Sequence, residues 1–294
     1  MYELIHVKGN SYYIESPAKI GLYVIGNGEV CLFDSGNDRG AGKKIKKLLD
    51  ANGWRLTAIY HTHSHADHIG GSCFLQKETG CRVYAPGIEC DFTCHPILES
   101  AFLYGGYPLT ELRHKFLLAE ASDARLLTPE VLPAGVGIVP LPGHSFDMVG
   151  FSTPDGVIYL ADALSKRETL DKYGIGFVYD VGAYLETLGS IEKMTAEVLV
   201  PSHADPASPE VMAALARYNI EKVHEAADRI AELCSSPTHF ETILKGVFDR
   251  YGTTMTSEQY VLVGSTVRSY LAWMKATGRV STEISENMLL WKRA

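Results

Sequence analysis

Apolar residues in the first 90 positions follow two different spacings, which predict strands interrupted by helices. Residues 4–14 and 20–34 alternate with the period of two that a half-buried strand shows. Asn27-Gly28 interrupts the second run and predicts a type I′ hairpin turn. Apolar positions within 38–53 then recur at helical spacing, and Gly53 is the expected end of that helix.

The residues after the first helix predict a strand, a helix and a second strand. A segment without regular periodicity then follows. Residues 55–60 and 81–86 are expected to be strands on either side of a helix over 70–80. The segment 86–128 is rich in aromatic residues and is broken by prolines and a Gly-Gly pair. We expect an insertion of short helices and loops that forms a lid, forms a dimer surface or only packs on the core. Its aromatic side chains include Phe92, Phe102, Tyr104 and Tyr107.

Strands are expected to resume after residue 136, and helices dominate after Pro206. Residues 137–142 predict a strand, and 148–162 predict a hairpin with Pro154-Asp155-Gly156 at its turn. A helix and a strand should follow over 180–195 and 197–201, and then three amphipathic helices and a hairpin over 208–234, 239–252, 256–278 and 279–294. We therefore expect one domain over 1–205 and a helical, winged-helix-like region over 206–294.

Composition narrows the class of protein only moderately. The 46% of hydrophobic and 21% of charged residues are typical of a globular chain. No run approaches the about twenty apolar residues of a membrane helix, and no signal-peptide pattern opens the sequence. The six cysteines lack the density of a disulfide scaffold, so we expect a cytoplasmic protein. The net charge of −8 argues against a large nucleic-acid surface.

The stretch AIYHTHSHADHIGG, which follows a predicted strand, concentrates metal-binding side chains. Because six extended residues span at most about 20 Å, its donors must serve one metal ion or a close pair. Neutral imidazole and carboxylate suit zinc, and also iron or manganese. Gly70 and Gly71 follow and permit backbone conformations that other residues resist. The candidate ligands in this stretch are His63, His65, Asp67 and His68.

Three further candidate ligands stand at the ends of later predicted strands. His144 follows a strand in PLPGHS, Asp162 ends a hairpin in YLADAL, and His203 ends a strand in VLVPSH. Because each follows a β-run, all three could gather at one rim of a sheet sandwich.

The motifs HxHxDH, GH, AD and SH occur in this order, and with them the sequence resembles the metallo-β-lactamase superfamily over roughly residues 1–205. The resemblance implies a four-layer αββα sandwich with a two-metal site at its edge. Within the superfamily, the compact core with helical C-terminal additions most resembles the glyoxalase II-like branch. The C-terminal glutathione site of that enzyme is not recognisable here. By position, the resemblance assigns one metal to His63, His65 and His144, the other to Asp67, His68 and His203, and a bridging role to Asp162.

The resemblance also implies a cofactor and a mechanism. It implies two Zn²⁺ per chain, with iron or manganese as alternatives, because the flavo-diiron branch usually has glutamate at the second histidine of the motif. Metal coordination lowers the pKa of water from about 15.7 to about 7, so hydroxide is available at neutral pH. That hydroxide would attack a carbonyl or phosphoryl centre, and Asp67 is the residue expected to orient it for catalysis.

Several other polar residues near these motifs have a structural interpretation. His61 lies out of phase with the motif and is expected to support the ligands. Asp34 is expected to support them in the same way. Cys90 and Cys94 are expected to be buried apolar residues on a helix, and neither they nor His95 form a strong zinc spacing.

The segment after Asp162 should lie near the mouth of the site. Its candidate substrate contacts compete with a second interpretation, in which the segment is only a solvated loop. These candidates are Lys166, Arg167, Tyr173 and Tyr179.

The leading functional hypothesis is a zinc-dependent hydrolase that acts on a small ester, thioester or lactone. The first alternative is a nuclease or phosphodiesterase acting on RNA. Residues 205–294 hold ten Lys/Arg against eleven Asp/Glu, without a basic stripe, so nucleic acid is the less favoured partner. The second alternative is an iron oxygenase or redox protein that uses the same ligands. A small-molecule substrate and no membrane association are expected, and a homodimer is left open.

Overall fold

The computed structural model describes residues 2–294 and builds two sheets that face each other. The first sheet has seven strands in chain order, antiparallel from β1 to β4 and parallel from β4 to β7. These strands are β1 (Glu3–Lys8), β2 (Ser11–Glu15), β3 (Ile20–Gly26), β4 (Glu29–Phe33), β5 (Arg55–Tyr60), β6 (Arg82–Ala85) and β7 (Ala124–Leu126).

The second sheet has four strands, and a third, smaller sheet lies near the C-terminus. The second sheet has the order β11-β10-β9-β8, and only β10 and β11 are parallel. Its strands are β8 (Gly137–Pro140), β9 (Val149–Ser152), β10 (Val157–Ala161) and β11 (Val198–Pro201). The small sheet has the order β12-β14-β13 and contains β12 (Thr238–His239), β13 (Val280–Ser285) and β14 (Met288–Arg293).

Helices cover the outer faces of both large sheets and form most of the C-terminal region. The ten α-helices of residues 2–294 are α1 (Arg39–Ala51), α2 (Ala66–Ile69), α3 (Ser72–Thr79), α4 (Glu89–Cys94), α5 (Ile97–Tyr104), α6 (Arg167–Tyr173), α7 (Val181–Ile191), α8 (Pro209–Leu233), α9 (Phe240–Tyr251) and α10 (Ser257–Ala276). Short 3₁₀ turns stand at Thr110–Leu112 and Pro129–Val131.

The period-two pattern of the strands explains the layer order. In β4, Leu32 packs with apolar side chains of α1 and α3, whereas Phe33 packs against the second sheet. The ring of Phe33 stacks on Phe151 of β9 with a centroid distance of 4.5 Å. In β10, Tyr159 faces this same inter-sheet core, and Leu160 faces the helices on the far side. The result is the αββα sandwich that the family resemblance implies.

The structure differs from the sequence prediction at two places in the first sheet. Residues 4–14 form a tight hairpin rather than one strand, because Gly9 adopts a left-handed φ of 52° between β1 and β2. The insertion 86–128 contains the short edge strand β7 in addition to the expected helices and loops. Three residues are too few to produce a readable alternation.

The C-terminal helices share an apolar core with the second sheet. One cluster of buried residues runs from Leu141 through Leu160 and α7 to Val280 at the start of β13. Helix α8 begins after Ser208 with Pro209 in its first turn, and it matches the helix expected over 208–234. The closing hairpin is also present, and its turn residues Glu286 and Asn287 both have positive φ. None of the helices in residues 2–294 combines the length and the apolar character that a bilayer crossing requires.

The stacked ring of Phe151 provides a test of the inter-sheet core. Phe151 is fully buried, so Phe151→Ala should lower the free energy of unfolding by about 3–5 kcal/mol through lost burial and a residual cavity. Ile284, which is 78% exposed, gives a matched control, and Ile284→Ala should change stability by less than about 0.5 kcal/mol. Urea unfolding measures both, and equal stabilities of the two variants would contradict this packing.

Candidate metal centre

The candidate ligands lie where strands of both sheets end at one edge of the sandwich. The loop after β5 carries His63 and His65, and the short helix α2 carries Asp67 and His68. In the second sheet, the loop after β8 carries one candidate, and the other two follow β10 and β11 closely. These three are His144, Asp162 and His203.

Three imidazoles form the first of two donor groups. The Nε2 atoms of His63 and His144 each lie 3.1 Å from Nδ1 of His65. His63 is fully buried, and His65 and His144 are partly buried. The three donor atoms therefore converge on one point, with a spacing that a single cation can share.

Two carboxylates and two imidazoles form the second group. Nε2 of His203 lies 3.3 Å from Oδ2 of Asp67 and 3.2 Å from Oδ2 of Asp162. Nε2 of His68 lies 3.3 Å from the other oxygen of Asp162. Because Oδ2 of Asp162 also lies 3.5 Å from Nε2 of His144, this one carboxylate connects the two groups.

Backbone carbonyls decide which nitrogen of two histidines faces the centre. Nδ1 of His144 lies 3.1 Å from the carbonyl oxygen of Phe177, and Nδ1 of His203 lies 3.0 Å from that of Pro17. A carbonyl only accepts hydrogen bonds, so each Nδ1 carries the proton. In the neutral imidazole, the Nε2 of each ring then presents a lone pair to the centre.

Two buried atoms in the centre lack the hydrogen bond that burial normally requires. They are Nε2 of His68 and Oδ1 of Asp162, which face each other at 3.3 Å. A buried polar atom without a partner costs about 1–3 kcal/mol. A divalent cation satisfies both atoms at once, since imidazole nitrogen and carboxylate oxygen are both zinc donors. The residues present therefore fit a bound metal.

Burial keeps the first group in the form that binds metal. It lowers the pKa of His63 well below the ordinary histidine value. It also lowers the pKa of His65 and of His144 to about 4. All three imidazoles are therefore neutral at pH 7, with a lone pair available.

Carboxylates dominate the electrostatics of the second group. Asp162 is the main cause that raises the pKa of His203 to about 10. Burial favours the neutral form of His68, but Asp162 and Asp67 overcome it and raise the pKa of this histidine well above its usual value. In the metal-free chain, positive charge on these imidazoles balances the two carboxylates. A cation between the same atoms provides the same balance.

Asp34 holds the second donor group in place through hydrogen bonds that its buried carboxylate accepts. It is buried at the end of β4 with a left-handed φ of 70°, a conformation that aspartate tolerates better than most residues. Its carboxylate accepts hydrogen bonds from the backbone and side chain of Thr62 and from Nδ1 of His68 at 2.8 Å. His61 lies 3.4 Å from the same carboxylate and bonds Ser72 through Nε2. Both side chains thus orient the loop that holds the candidate ligands.

Glu89 in α4 links the loop after β5 to the loop after β8 through hydrogen bonds. No sequence pattern identified this residue. Its buried carboxylate accepts hydrogen bonds from the backbone N–H and the hydroxyl of Ser64, between His63 and His65. It also accepts hydrogen bonds from the hydroxyl of Ser145 and the backbone N–H of Asp147, beside the third histidine of the first group. One carboxylate therefore fixes the relative position of all three imidazoles.

Glu99 in α5 is a second carboxylate that the sequence did not identify. Its Oε1 lies 3.6 Å from Nε2 of His65, the nitrogen that faces away from the donor group. Burial raises the pKa of Glu99 to about 8, and the carboxylates of Glu89 and Asp67 add to the effect. At pH 7 this group is therefore largely a neutral carboxylic acid in the metal-free chain, and it packs beside the His65 ring without a hydrogen bond. Both glutamates come from the insertion 86–128.

The two glycines after α2 are needed for space rather than for an unusual backbone conformation. Gly70 has an ordinary φ of −63°. A Cβ at Gly70 would lie 2.3 Å from backbone atoms of Asn37, and one at Gly71 would lie 2.2 Å from the carbonyl of Ser35. The sequence interpretation based on backbone freedom is therefore wrong, and close approach of the chain after Asp34 is the reason for both glycines.

A small cavity opens directly beside the donor groups. It has a volume of about 180 Å³ and is walled by His65, Asp67, His144 and Asp162 on one side. The insertion contributes further wall residues, as a lid would. The residues that complete the wall are Ala66, Glu99, Phe116, Leu117, Phe177 and Leu262.

The candidate substrate contacts of the segment after Asp162 do not border this cavity. Lys166 and Arg167 are exposed, and the Arg167 guanidinium lies over the ring of Tyr218 at 4.0 Å. Tyr179 packs on Phe146 with a ring distance of 4.1 Å. Phe177 is the residue of this segment that reaches the cavity beside the ligands.

The cysteines of the insertion lie apart from the donor groups. Cys90 and Cys94 are half-buried on α4 and pack against the helix-side core of the first sheet. His95 ends this helix and is exposed. All six cysteines are free thiols.

The Glu89 contacts predict a stability effect that does not depend on metal. Glu89→Ala leaves the buried backbone N–H of Ser64 and the buried hydroxyls of Ser64 and Ser145 without their acceptor, and the free energy of unfolding of the metal-free chain should fall by about 3 kcal/mol. Glu78 is exposed, so Glu78→Ala should change stability by less than about 0.5 kcal/mol. Urea unfolding with chelator present measures both. An unchanged midpoint for Glu89→Ala would refute the linking role.

Comparison with curated proteins finds relatives that match part of the chain. A hydroxyacylglutathione hydrolase of Bradyrhizobium sp. (strain ORS 278) is 30% identical over 154 residues, which are 51% of this chain and 48% of that protein. One of Methylococcus capsulatus is 31% identical over 152 residues, or 52% of this chain and 48% of that protein. The chain thus spans about half the length of the curated relatives it matches.

Solved structures match the fold along nearly the whole chain. A beta-lactamase domain protein from Burkholderia ambifaria has a TM-score of 0.76 at 19% identity, and the match covers 99% of this chain and 94% of that one. A metallo-beta-lactamase family protein from Thermus thermophilus has a TM-score of 0.74 at 17% identity, covering 100% and 98%. The family model of the metallo-beta-lactamase superfamily matches residues 8–203. The chain therefore belongs to the metallo-beta-lactamase superfamily.

Proposed function

We propose that the chain is a hydrolase that uses two zinc ions to cleave a small ester, thioester or lactone. One observation carries the proposal: two donor groups lie side by side, and Asp162 reaches into both. His63, His65 and His144 would hold one ion, and Asp67, His68 and His203 the other, with Asp162 between them.

The donor types support zinc. The first group consists of three neutral imidazoles, which suit zinc and other transition metals, whereas magnesium and calcium prefer oxygen. When bound, two zinc ions would lower the pKa of a water and polarise the carbonyl oxygen of the substrate. The carboxylates of Asp67 and Asp162 would offset half of the ions' charge and leave the centre positive.

Asp67 is the residue best placed to orient the attacking water. Its side chain is 39% exposed and lines the cavity, whereas Asp162 is only 10% exposed. Burial raises the pKa of Asp67, but His68 and His203 outweigh this effect and lower it to about 2. The carboxylate is thus ionised at neutral pH and can only accept hydrogen bonds from the water. Holding the water in one orientation reduces the entropy cost of attack.

The surroundings of the centre favour a small and largely uncharged substrate. The cavity of about 180 Å³ is small for a ligand site. Lys222 is the only lysine or arginine among the described residues that line the spaces beside the donor groups. Its charge is partly balanced, because it forms ion pairs with Asp171 and Glu225. Binding of an RNA backbone requires several such cations. The names of the curated relatives, which denote hydrolysis of an acylated glutathione, support acyl transfer to water.

We also propose that residues 1–205 form the catalytic domain and that 206–294 complete its substrate site. Asn219 and Lys222 of α8 line a space of about 60 Å³ next to His144, Asp162 and His203. Leu262 of α10 lines the larger cavity. Residues of α8 and α10, which lie after the part of the chain that the family model matches, thus line the spaces beside the donor groups.

A hydrolysis screen tests the proposed function. Purified protein is assayed with thioesters, esters, lactones, phosphodiesters and RNA, with and without a chelator. We expect turnover of at least one acyl substrate class that chelation removes and zinc restores. Cleavage of RNA alone, or activity that chelation leaves intact, would contradict the proposal.

Substitution of the ligands gives a second prediction. His65→Ala and Asp162→Asn should each lower activity by more than about 100-fold and reduce the zinc bound per chain, because each removes a donor. The exposed His95 offers the control His95→Ala, which should retain both zinc and activity. Elemental analysis and circular dichroism show whether metal is lost from a folded protein. Full activity in both ligand variants would refute the assignment.

A further inference from the structure

A second cavity lies next to the metal centre, between the segment after Asp162 and the C-terminal helices. It has a volume of about 230 Å³ and is enclosed by α6, the loop 174–177, the end of α9 and one face of α10. None of the described residues that line it is Asp, Glu, Lys, Arg or His. Its exposed wall is mainly apolar and comes from Leu170, Ile175, Phe177, Val247, Leu262 and Val263, and the side chains of Thr169, Tyr173, Tyr251, Thr253, Gln259 and Thr266 complete it.

Two side chains separate this apolar cavity from the cavity beside the donor groups. Phe177 and Leu262 line both spaces. The ring of Phe177 lies 5.2 Å from the ring of His65 and 5.6 Å from that of His144. Its backbone carbonyl holds Nδ1 of His144 at 3.1 Å. A group that occupies the apolar cavity is therefore one side chain away from the reacting centre.

The size and chemistry of the cavity define its occupant. An apolar cavity of about 150 Å³ is large enough for benzene, so 230 Å³ admits a chain of about six carbons. A charged group would lose its hydration there without gaining an ionic partner. The adjacent centre, in the proposed function, cleaves an acyl bond. A chain attached to that bond would enter the cavity by displacing Phe177 or Leu262, the two side chains between the spaces.

We propose that the cavity between α6, α9 and α10 binds the aliphatic acyl chain of the substrate, so that the enzyme prefers medium-chain acyl groups. This inference rests on the proposed hydrolase function. Burying one methylene raises affinity about fourfold. Provided that the chain is held in the transition state, kcat/KM should rise with chain length until the cavity is full.

A chain-length series measures the preference directly. The zinc-loaded enzyme is assayed with the acetyl, butanoyl, hexanoyl and octanoyl thioesters of N-acetylcysteamine. We expect kcat/KM to rise roughly 250-fold from acetyl to hexanoyl, since four methylenes are added, and then to level off. Equal kcat/KM values across the series would overturn the proposal.

Val263 allows the cavity to be altered without touching a candidate ligand. Val263→Phe fills part of the cavity and should lower the hexanoyl-to-acetyl ratio of kcat/KM at least tenfold. Val263→Ala enlarges the cavity and should move the optimum towards octanoyl, which keeps the test decisive if the larger residue prevents folding. Val211 on α8 is 60% exposed, so Val211→Phe is the matched control and should leave the ratio unchanged. Equal loss with acetyl and hexanoyl substrates in Val263→Phe would contradict the proposal.

A binding measurement separates this inference from the proposed function. Calorimetry compares hexanoate with acetate on the zinc-loaded enzyme, because both carboxylates present the same headgroup. We expect hexanoate to bind at least tenfold more tightly, and Val263→Phe to remove that difference. If hexanoate is preferred but no acyl substrate turns over, the apolar site stands and the hydrolase proposal fails. If substrates turn over but neither measurement shows chain preference, only the apolar site fails.

Discussion

The structure depends on the crowding of seven donor side chains at one edge of a sheet sandwich. Their nitrogen and oxygen atoms approach within 3.1–3.6 Å of one another, and several of these contacts cannot be ordinary hydrogen bonds between neutral groups. The carbonyl of Phe177 directs the Nε2 lone pair of His144 towards Nδ1 of His65, and in the second group the carboxylates of Asp67 and Asp162 are balanced by charge on His68 and His203. Such an arrangement is unfavourable unless positive charge lies among the donors.

The rest of the fold holds this unfavourable arrangement in place. Asp34 and Glu89 are buried carboxylates that bind the loops from behind, and neither belongs to a donor group. The inter-sheet core aligns the strand ends from which the loops leave. The loops themselves follow rigid strands, so the donors can be fixed before any ligand is bound. The precision of the centre thus comes from packing and buried hydrogen bonds.

The sequence predicted the parts of the molecule that repeat a pattern or cluster a rare residue type. Period-two alternation identified most strands, and the histidine-rich loop with three later strand ends identified the side chains that the structure brings together. Glu89, Glu99, Phe177 and Leu262 could not be found in this way. A single glutamate or leucine carries no local pattern, and its role arises only from contacts between distant segments. The division of the chain at residue 205 stays a prediction.

Anomalous diffraction from a zinc-loaded crystal locates each metal ion independently of activity. We expect two peaks about 3.5–4 Å apart, one among His63, His65 and His144 and the other among Asp67, His68 and His203, with Asp162 near both. A single peak, or zinc bound elsewhere with these seven side chains empty, would contradict this assignment.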